Sequence, residues 1–577
     1  MTSIFSRRAL ASSMSERRKS VMARSLMMAE REYIFESKLP AYPIADSAID
    51  MTLPEFVLDG AEQDFDRVAI VDSSDGRQYT YSEFRRLVKN VAAGLASLGI
   101  HKGDVVCFVL PNVAEYFILV FGVMSVGAIF SGCNPYAHPS EILKQVLSSD
   151  AKLLITDPPT LRKVADIEVP IVMVGGEAMA GTITVQTLLT ADGAKAPAVS
   201  MSPDDVCLLP YSSGTTGLPK GVMITHRNII ANLCQTLCVT QCKFSSQRMG
   251  PHETVLGLMP FFHIYGISGL GCATMRNRGT IVVMERYEIR RLLQVLLDFE
   301  VTSAPLVPPI ILSLLKSPVV AEFDLTALKL SAILCAAAPL SPELQQAFED
   351  KFPGVLICQA YGLTEYSCVT LSHVPPPYGL DVKPSKKGSV GFLMPGTQIK
   401  FVDLSTGKSV PAHAHGELCV RGPTIMKGYY KNAKATESII DADGWLHTGD
   451  VGYIDDDGDV YIVERVKELI KYKGFQVPPA ELEAILISHS AVTDAAVVGI
   501  PDDEAGEIPA ACIVLSPNAF VTEKEVKDYV NSQVASYKKV RFVEQVPKIP
   551  KSTSGKILRR LLKDQLILKY RAQTQRL

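Results

Sequence analysis

Tyr211-Ser-Ser-Gly-Thr-Thr-Gly-Leu-Pro-Lys-Gly221 decides the reading of this chain. Gly214, Gly217 and Gly221 crowd with Ser212, Ser213, Thr215 and Thr216 around a single lysine, Lys220. Glycines reach positive φ and let backbone N–H groups approach a ligand with no side chain in between. Successive N–H groups in such a turn form an anion-binding concavity, and hydroxyls add donors. Lys220 supplies a mobile positive charge suited to phosphate oxygens. The apolar segment 206–209 ahead of the loop reads as a strand, and a helix opens from Thr225. That order makes a phosphate cradle. It is not the common P-loop, because Pro219 precedes the lysine and Gly221 follows it where Ser or Thr would bind magnesium.

Outward from the loop, strands alternate with helices. Segments 68–71, 103–110, 153–156, 255–259, 280–284 and 330–335 read as strands. Between them, Thr80-Tyr-Ser-Glu83 is a capping box, and Phe84, Leu87, Val88, Val91, Leu95 and Leu98 follow at helical spacing. Segments 141–147 and 290–299 are further helices. The alternation predicts an α/β fold with largely parallel sheets. The apolar run 116–133 has transmembrane length, but Gly122 and Gly127 interrupt it and no basic anchors flank it. It predicts a buried helix running into a strand.

With 577 residues, 47% hydrophobic and 21% charged, the chain is globular and too long for one core. A formal net charge of −3 gives no reason to expect nucleic-acid binding. Twelve cysteines lack paired zinc spacing, which fits reduced thiols. Cys234, Cys238 and Cys242 recur every four residues beside Leu233 and Leu237, the spacing of one packed helical face.

Five more motifs follow the loop: Phe262-His-Ile-Tyr265, Tyr361-Gly-Leu-Thr-Glu365, Gly416-Glu-Leu-Cys-Val-Arg-Gly422, Gly444-Trp-Leu-His-Thr-Gly-Asp450 and Pro550-Lys-Ser-Thr-Ser-Gly-Lys556. Six motifs in this order resemble the adenylate-forming superfamily of acyl-CoA synthetases, plant 4-coumarate:CoA ligases and beetle luciferases. The likeness runs from about Tyr33 to about Lys569. Within the superfamily the chain resembles the 4-coumarate:CoA ligase-like fatty acyl-CoA synthetases of sporopollenin synthesis.

The resemblance implies ATP, Mg²⁺ and CoA, and a role for each matching residue. Ser212, Ser213, Gly214, Thr215, Thr216 and Lys220 would hold the phosphates, with Glu365 and Thr216 at the Mg²⁺. Ala337, Gln359, Ala360, Tyr361 and Thr364 would line the nucleotide, and Asp450 and Arg465 its ribose. His263 would meet the substrate carboxylate. Tyr265, Gly269, Ala336, Gly362, Cys368 and Val369 would line the acyl pocket. Lys556 would serve adenylation. After rotation about Lys467, Lys471 and Gln476 would serve thioester formation, with Lys473 and Gly474 along the pantetheine tunnel. Arg286 stands where 4-coumarate ligases carry a lysine for the CoA phosphates. Tyr366-Ser-Cys-Val369, where those ligases have Ala-Gly-Pro-Val, is read as reshaping the acyl slot toward a flexible chain. The alternatives are a hydroxycinnamate ligase and a luciferase-like oxidoreductase.

The expected architecture follows. Residues 1–30 form a disordered or targeting-like extension, and 31–464 an adenylation domain of mostly parallel sheets with a barrel-like subdomain. Residues 465–577 form a small mobile α/β domain, with helices at 480–487, 523–534 and 557–563 and strands at 495–499 and 510–515. The expected partners are a small carboxylic acid, ATP and CoA, with no nucleic acid and no transmembrane segment, in a monomer or weak homodimer. The expected compartment is the cytoplasm, with endoplasmic-reticulum association and organellar targeting by the extension left open.

Overall fold

The computed structural model describes residues 32–38, 50–177, 179–212, 219–241, 252–372, 386–473, 475–502, 504–517, 519, 521–552 and 555–574, without the side chains of 237–241, 369–372 and 571–574. Among the described residues there are four sheets, two of nine strands and two of five. In the first, strands Val105–Val109, Ile129–Cys133, Ala151–Thr156 and Ile171–Met173 run parallel. Helices Tyr116–Ser125, Pro139–Ser148 and Pro158–Val164 connect them in turn. Parallel strands need such crossovers, so the alternating pattern translates directly into this layer. Lys220–Thr225 joins the edge antiparallel to Val206–Leu208.

The second sheet has a parallel centre of Thr280–Val283, Thr254–Gly257, Ser303–Leu306, Ala332–Cys335 and Leu356–Leu363. Helix Tyr81–Ser97 starts at the predicted capping box, with Glu83 N–H donating to Thr80 Oγ1 at 3.2 Å and Thr80 N–H to Glu83 Oε2 at 2.9 Å. Every residue from Tyr116 to Met124 in the next helix is buried. A Cβ on Gly122 would lie 2.3 Å from Val91 Cγ1, and one on Gly271 only 2.0 Å from Phe117 Cε1. Helices therefore press on this segment from two sides, which accounts for its all-round apolar sequence. No described helix is long and apolar enough to cross a membrane. Cys234 is buried in helix His226–Gln241, as the packed-face reading expects; the Cys238 side chain and Cys242 lie outside the described residues.

A five-stranded antiparallel sheet of Phe35–Glu36, Gln398–Val402, Gly416–Arg421, Leu446–Ile454 and Val460–Arg465 supplies the subdomain expected to be barrel-like. The chain beyond it forms the small α/β unit. Helices Pro479–Ser488 and Glu523–Asn531 cover one face of its sheet through Leu482, Leu486, Val526 and Val530. Helix Arg559–Thr574 covers the other through Leu562 and Leu566. Strands Val492–Asp502 and Gly506–Leu515 are longer than predicted. Pro501 and Pro509 suggest earlier ends, but an antiparallel ladder leaves alternate N–H groups unused and so tolerates proline there. The last helix starts later than 557, because Lys551 and Ile557 bridge and hold Lys556 in a turn.

Candidate active site

Strands Tyr211–Ser212 and Lys220–Thr225 pair antiparallel with Ser212 opposite Lys220, which clamps the two ends of the glycine-rich loop together. Ser213, Gly214, Thr215 and Thr216 lie outside the described residues. Thr225 and Asn228 exchange side-chain-to-backbone hydrogen bonds of 3.1 and 3.2 Å that start the following helix. Lys220 Nζ lies 5.2 Å from the centre of the Tyr429 ring. The Tyr429 hydroxyl donates to Glu365 Oε1 at 2.9 Å. Glu365 is buried, and its Oε2 carries no protein hydrogen bond among the described residues. A buried carboxylate oriented by one oxygen and open at the other suits a hard cation, so Glu365 fits Mg²⁺. Burial lowers the pKa of the Lys220 ammonium; Glu365 opposes that shift and Lys467 adds to it.

The second half of the site gathers around Asp450, which is 7% exposed. Tyr361 donates to its Oδ2 at 2.5 Å, and Arg465 Nε lies 3.3 Å from Oδ1. Asp450 and Arg465 are also cross-strand partners. Burial raises the Asp450 pKa, while Arg465, Tyr361 and Lys556 work against that rise. Lys556 is half-buried in the same field: burial and Arg465 lower its pKa, and Glu468 and Asp450 oppose them. The Lys556 turn rests on the large domain. A Cβ on the neighbouring Gly555 would lie 3.3 Å from both Val307 Cγ2 and Pro309 Cγ.

The carboxyl ends of three adjacent parallel strands face this assembly, the usual ligand position in an open α/β sheet. Ser303–Leu306 leads to Val307, Ala332–Cys335 to Ala336 and Ala337, and Leu356–Leu363 to Thr364 and Glu365. Ala337 holds a left-handed φ of 73°, which keeps the turn tight without glycine. Gln359 anchors this turn by accepting Leu340 N–H at 3.1 Å, and its buried Nε2 has no partner among the described residues. An orphan donor beside a turn of small residues fits an acceptor-rich base such as adenine. Ala360 is buried, and Gly362 is exposed on the same strand.

His263 Nδ1 accepts Tyr265 N–H at 3.2 Å, which leaves Nε2 to carry the proton. Burial pushes its pKa down to about 4, so the ring is a neutral donor near pH 7. Asn112 holds the preceding loop, accepting Phe261 N–H at 2.9 Å and donating to Met259 O at 3.0 Å. A Cβ on Gly269 would lie 2.9 Å from Tyr265 Cδ2 and 3.1 Å from Cys368 Sγ, so these three residues share one wall. The Tyr265 hydroxyl is committed to Leu334 O at 2.9 Å. The Val369 side chain lies outside the described residues. Tyr366 corrects the sequence reading. It is fully buried, with its hydroxyl 3.1 Å from Thr397 Oγ1, and it packs toward Gly422, just past strand Gly416–Arg421 of the antiparallel sheet. Of the Tyr366-Ser-Cys368 stretch, only Cys368 meets Tyr265 and Gly269; left-handed Ser367 (φ 60°) turns the chain between the two sides.

Other expected residues stand apart from this assembly. Lys471 and Gln476 are direct cross-strand partners and both are exposed, with Lys471 N–H bonded to Glu507. Lys473 pairs with Glu504, and Gly474 lies outside the described residues. Arg286 is exposed, 5.0 Å over the Tyr136 ring. Sequence reasoning missed Tyr429 and a network behind Asp450. There, His447 Nδ1 lies 3.1 Å from Glu417 Oε2 and 3.4 Å from Cys419 Sγ, and Glu417 Oε1 accepts Gly449 N–H at 3.1 Å. Glu417, Cys419 and His447 all lie inside motifs that were already marked; only their pairing was hidden.

Strand ends that close on turns of small residues, an oriented buried carboxylate and lysines from two domains fit an adenylate-forming enzyme. Residues 58–430 match the AMP-binding enzymes, and residues 481–556 match the AMP-binding enzyme C-terminal domain. The 4-coumarate–CoA ligase-like 1 of Arabidopsis thaliana is 53% identical over 541 residues, covering 93% of this chain and 98% of that protein. The 4-coumarate–CoA ligase of Pinus taeda is 40% identical over 543 residues, with the same coverage. Among solved structures, the anthranilate CoA ligase AuaEII in complex with anthranoyl-AMP superposes with a TM-score of 0.81 at 25% identity, covering 90% of this chain and 98% of that one. ATP-bound MatB from Rhodopseudomonas palustris gives 0.80 at 25% identity, covering 90% and 99%. The chain belongs to the AMP-binding enzyme family, on its 4-coumarate–CoA ligase-like branch. It is an acid–thiol ligase that uses ATP, Mg²⁺ and CoA.

Proposed function

We propose that this ligase activates medium- to long-chain (hydroxy) fatty acids as acyl-adenylates and transfers them to CoA. The observation that supports the reading is a site built from both domains: Arg465 lies 3.3 Å from buried Asp450, Lys220 lies over the Tyr429 ring that orients Glu365, and Gly555, next to Lys556, packs on Val307 and Pro309. Phosphoryl transfer leaves little covalent work to the protein, so positioning and charge neutralisation dominate. In the first step a carboxylate oxygen bonds to the α-phosphorus, and the bond to the bridging oxygen breaks to release pyrophosphate. Lys220 and the 212–216 loop neutralise the leaving phosphates. Lys556 stabilises charge between the carboxylate and the α-phosphate, and His263 donates Nε2–H to the carboxylate. Glu365 would hold Mg²⁺, which when bound would further neutralise the phosphate oxygens. Asp450 and Arg465 fix the ribose. In the second step the CoA thiolate attacks the acyl carbon and AMP leaves, with Lys471 and Gln476 brought to the site by rotation about Lys467. Arg286, Lys473 and Gly474 serve the CoA side.

One feature supports a fatty acid over a hydroxycinnamate. The wall at Gly269 is an aromatic ring and a thiol, and the Tyr265 hydroxyl is already used on Leu334 O, so a ring hydroxyl finds no strong partner there. Methylenes need none, and each one buried contributes about 0.8 kcal/mol. Steady-state AMP release with ATP, CoA and a panel of acids tests the reading. Higher kcat/KM for medium- to long-chain acids than for 4-coumarate is expected. A 4-coumarate value about tenfold above every fatty acid would make hydroxycinnamates the substrates.

A further inference from the structure

Helix Pro479–Ser488 of the small domain opens with Pro478 and Pro479, neither of which has an N–H, and no side chain of its own segment caps it. Its first backbone donor is therefore Ala480. Glu464, on strand Val460–Arg465 of the large domain, reaches across and accepts that N–H at 3.2 Å through Oε2. Glu464 is buried, and the same oxygen lies 3.6 Å from Arg559 Nη2. Arg559 follows Lys556 by three residues and is also paired with Glu468 at 2.8 Å and with Glu483 on the capped helix.

The other end of the helix is held in the complementary way. Lys316, from large-domain helix Pro308–Lys316, donates to Val492 O at 2.6 Å and to Ile487 O, in the last helical turn, at 3.5 Å. An acid at the positive end of a helix and a cation at its negative end both favour its dipole. Here the carboxyl and the ammonium both come from the large domain. The residue beside Lys556, Gly555, packs on Val307 and Pro309 at the start of the helix that Lys316 ends.

We propose that Glu464 and Lys316 are positioning residues that cap this helix from across the domain boundary, and so hold the small domain with Lys556, rather than Lys471, at the nucleotide site. The inference rests on the two-step reading above. Neither residue touches the substrate. Turning Lys471 and Gln476 to the site moves Ala480, Ile487 and Val492 with the small domain, while Glu464 and Lys316 stay behind. Both caps must then open. Weakening a cap therefore slows the first half-reaction and spares the second.

The test measures acid-dependent ATP–pyrophosphate exchange and, separately, thioester formation from synthetic acyl-adenylate plus CoA. It compares the full-length enzyme with Glu464→Ala, Lys316→Met and Lys316→Arg. Exchange should fall about two- to fivefold in Lys316→Met, the size expected for a surface charge at a helix end, and up to about tenfold in Glu464→Ala, where the contact is buried. Thioester formation should be equal or faster, and Lys316→Arg should restore exchange. Lys316 is at the surface, so Lys316→Met gives a clean reading even if removal of buried Glu464 costs folding. Unchanged exchange in Lys316→Met, or an equal loss in both half-reactions, would overturn the proposal. Wild-type activity in both half-reactions is the mark of the two-step reading itself, so a loss confined to the variants belongs to the caps alone.

Discussion

Replacing Tyr429 by Phe isolates one hydrogen bond at the proposed metal ligand. The ring would stay beneath Lys220 Nζ, now 5.2 Å from its centre, while the hydroxyl that donates to Glu365 Oε1 at 2.9 Å disappears. Glu365 is only 5% exposed, so water is poorly placed to replace that donor. A hydrogen bond to a charged group contributes about 1.5–3 kcal/mol. Loss of an outer partner of a metal ligand typically weakens metal binding about ten- to a hundredfold. The Mg²⁺ concentration giving half-maximal pyrophosphate release, at saturating ATP and acid, should rise by that factor in Tyr429→Phe. The KM for the acid should change little, because His263 and Tyr265 are untouched. An unchanged Mg²⁺ dependence would remove Glu365 from the metal site, and a fall in thermal stability alone would make Tyr429 a packing residue.

Two further predictions concern regions next to the site. A Cβ on Gly422 would lie 2.3 Å from the Tyr366 hydroxyl, and Tyr366 is fully buried, so Gly422→Ala should cost about 1–3 kcal/mol of unfolding free energy with acid preference unchanged. Denaturant unfolding checks this; adding Tyr366→Phe should recover part of the loss, and a Gly422→Ala chain as stable as its parent contradicts the packing described. Hydrogen bonding to Cys419 and Glu417 raises the His447 pKa to about 10. The folded state therefore holds this proton more tightly than the unfolded chain, whose histidines titrate near about 6.5. That stabilisation is complete below about 6.5 and is lost as pH rises toward about 10. The thermal midpoint should fall across this window, and less steeply in His447→Gln; parallel falls in both chains would dismiss the network.

Elements were readable wherever local chemistry decides them. The Thr80–Glu83 box, the strand before Tyr211 and the helix after Thr225 all depend on residues within a few positions of each other. The apolar run from Tyr116 was readable as a helix and strand because Gly122 and Gly127 break its length. What stayed hidden depends on strand register and domain placement. Cys419 meets His447 only because they are cross-strand partners. Tyr429 reaches Glu365 across 64 positions. The direction of Tyr366 follows from the left-handed backbone at Ser367, which no residue type there announces. Pro478-Pro479 marks a helix start in sequence, but not that its cap comes from Glu464.

The central claim is that one lysine serves each half-reaction, Lys556 beside Asp450 and Lys471 from the exposed hairpin. The most direct measurement assays both half-reactions in Lys556→Ala and Lys471→Ala. Lys556→Ala should lose acid-dependent pyrophosphate release by several kcal/mol of barrier, roughly 3–4 as for other removed transition-state donors, and still convert acyl-adenylate and CoA to thioester. Lys471→Ala should do the reverse. Equal loss of both half-reactions in both folded variants would contradict the two-orientation account.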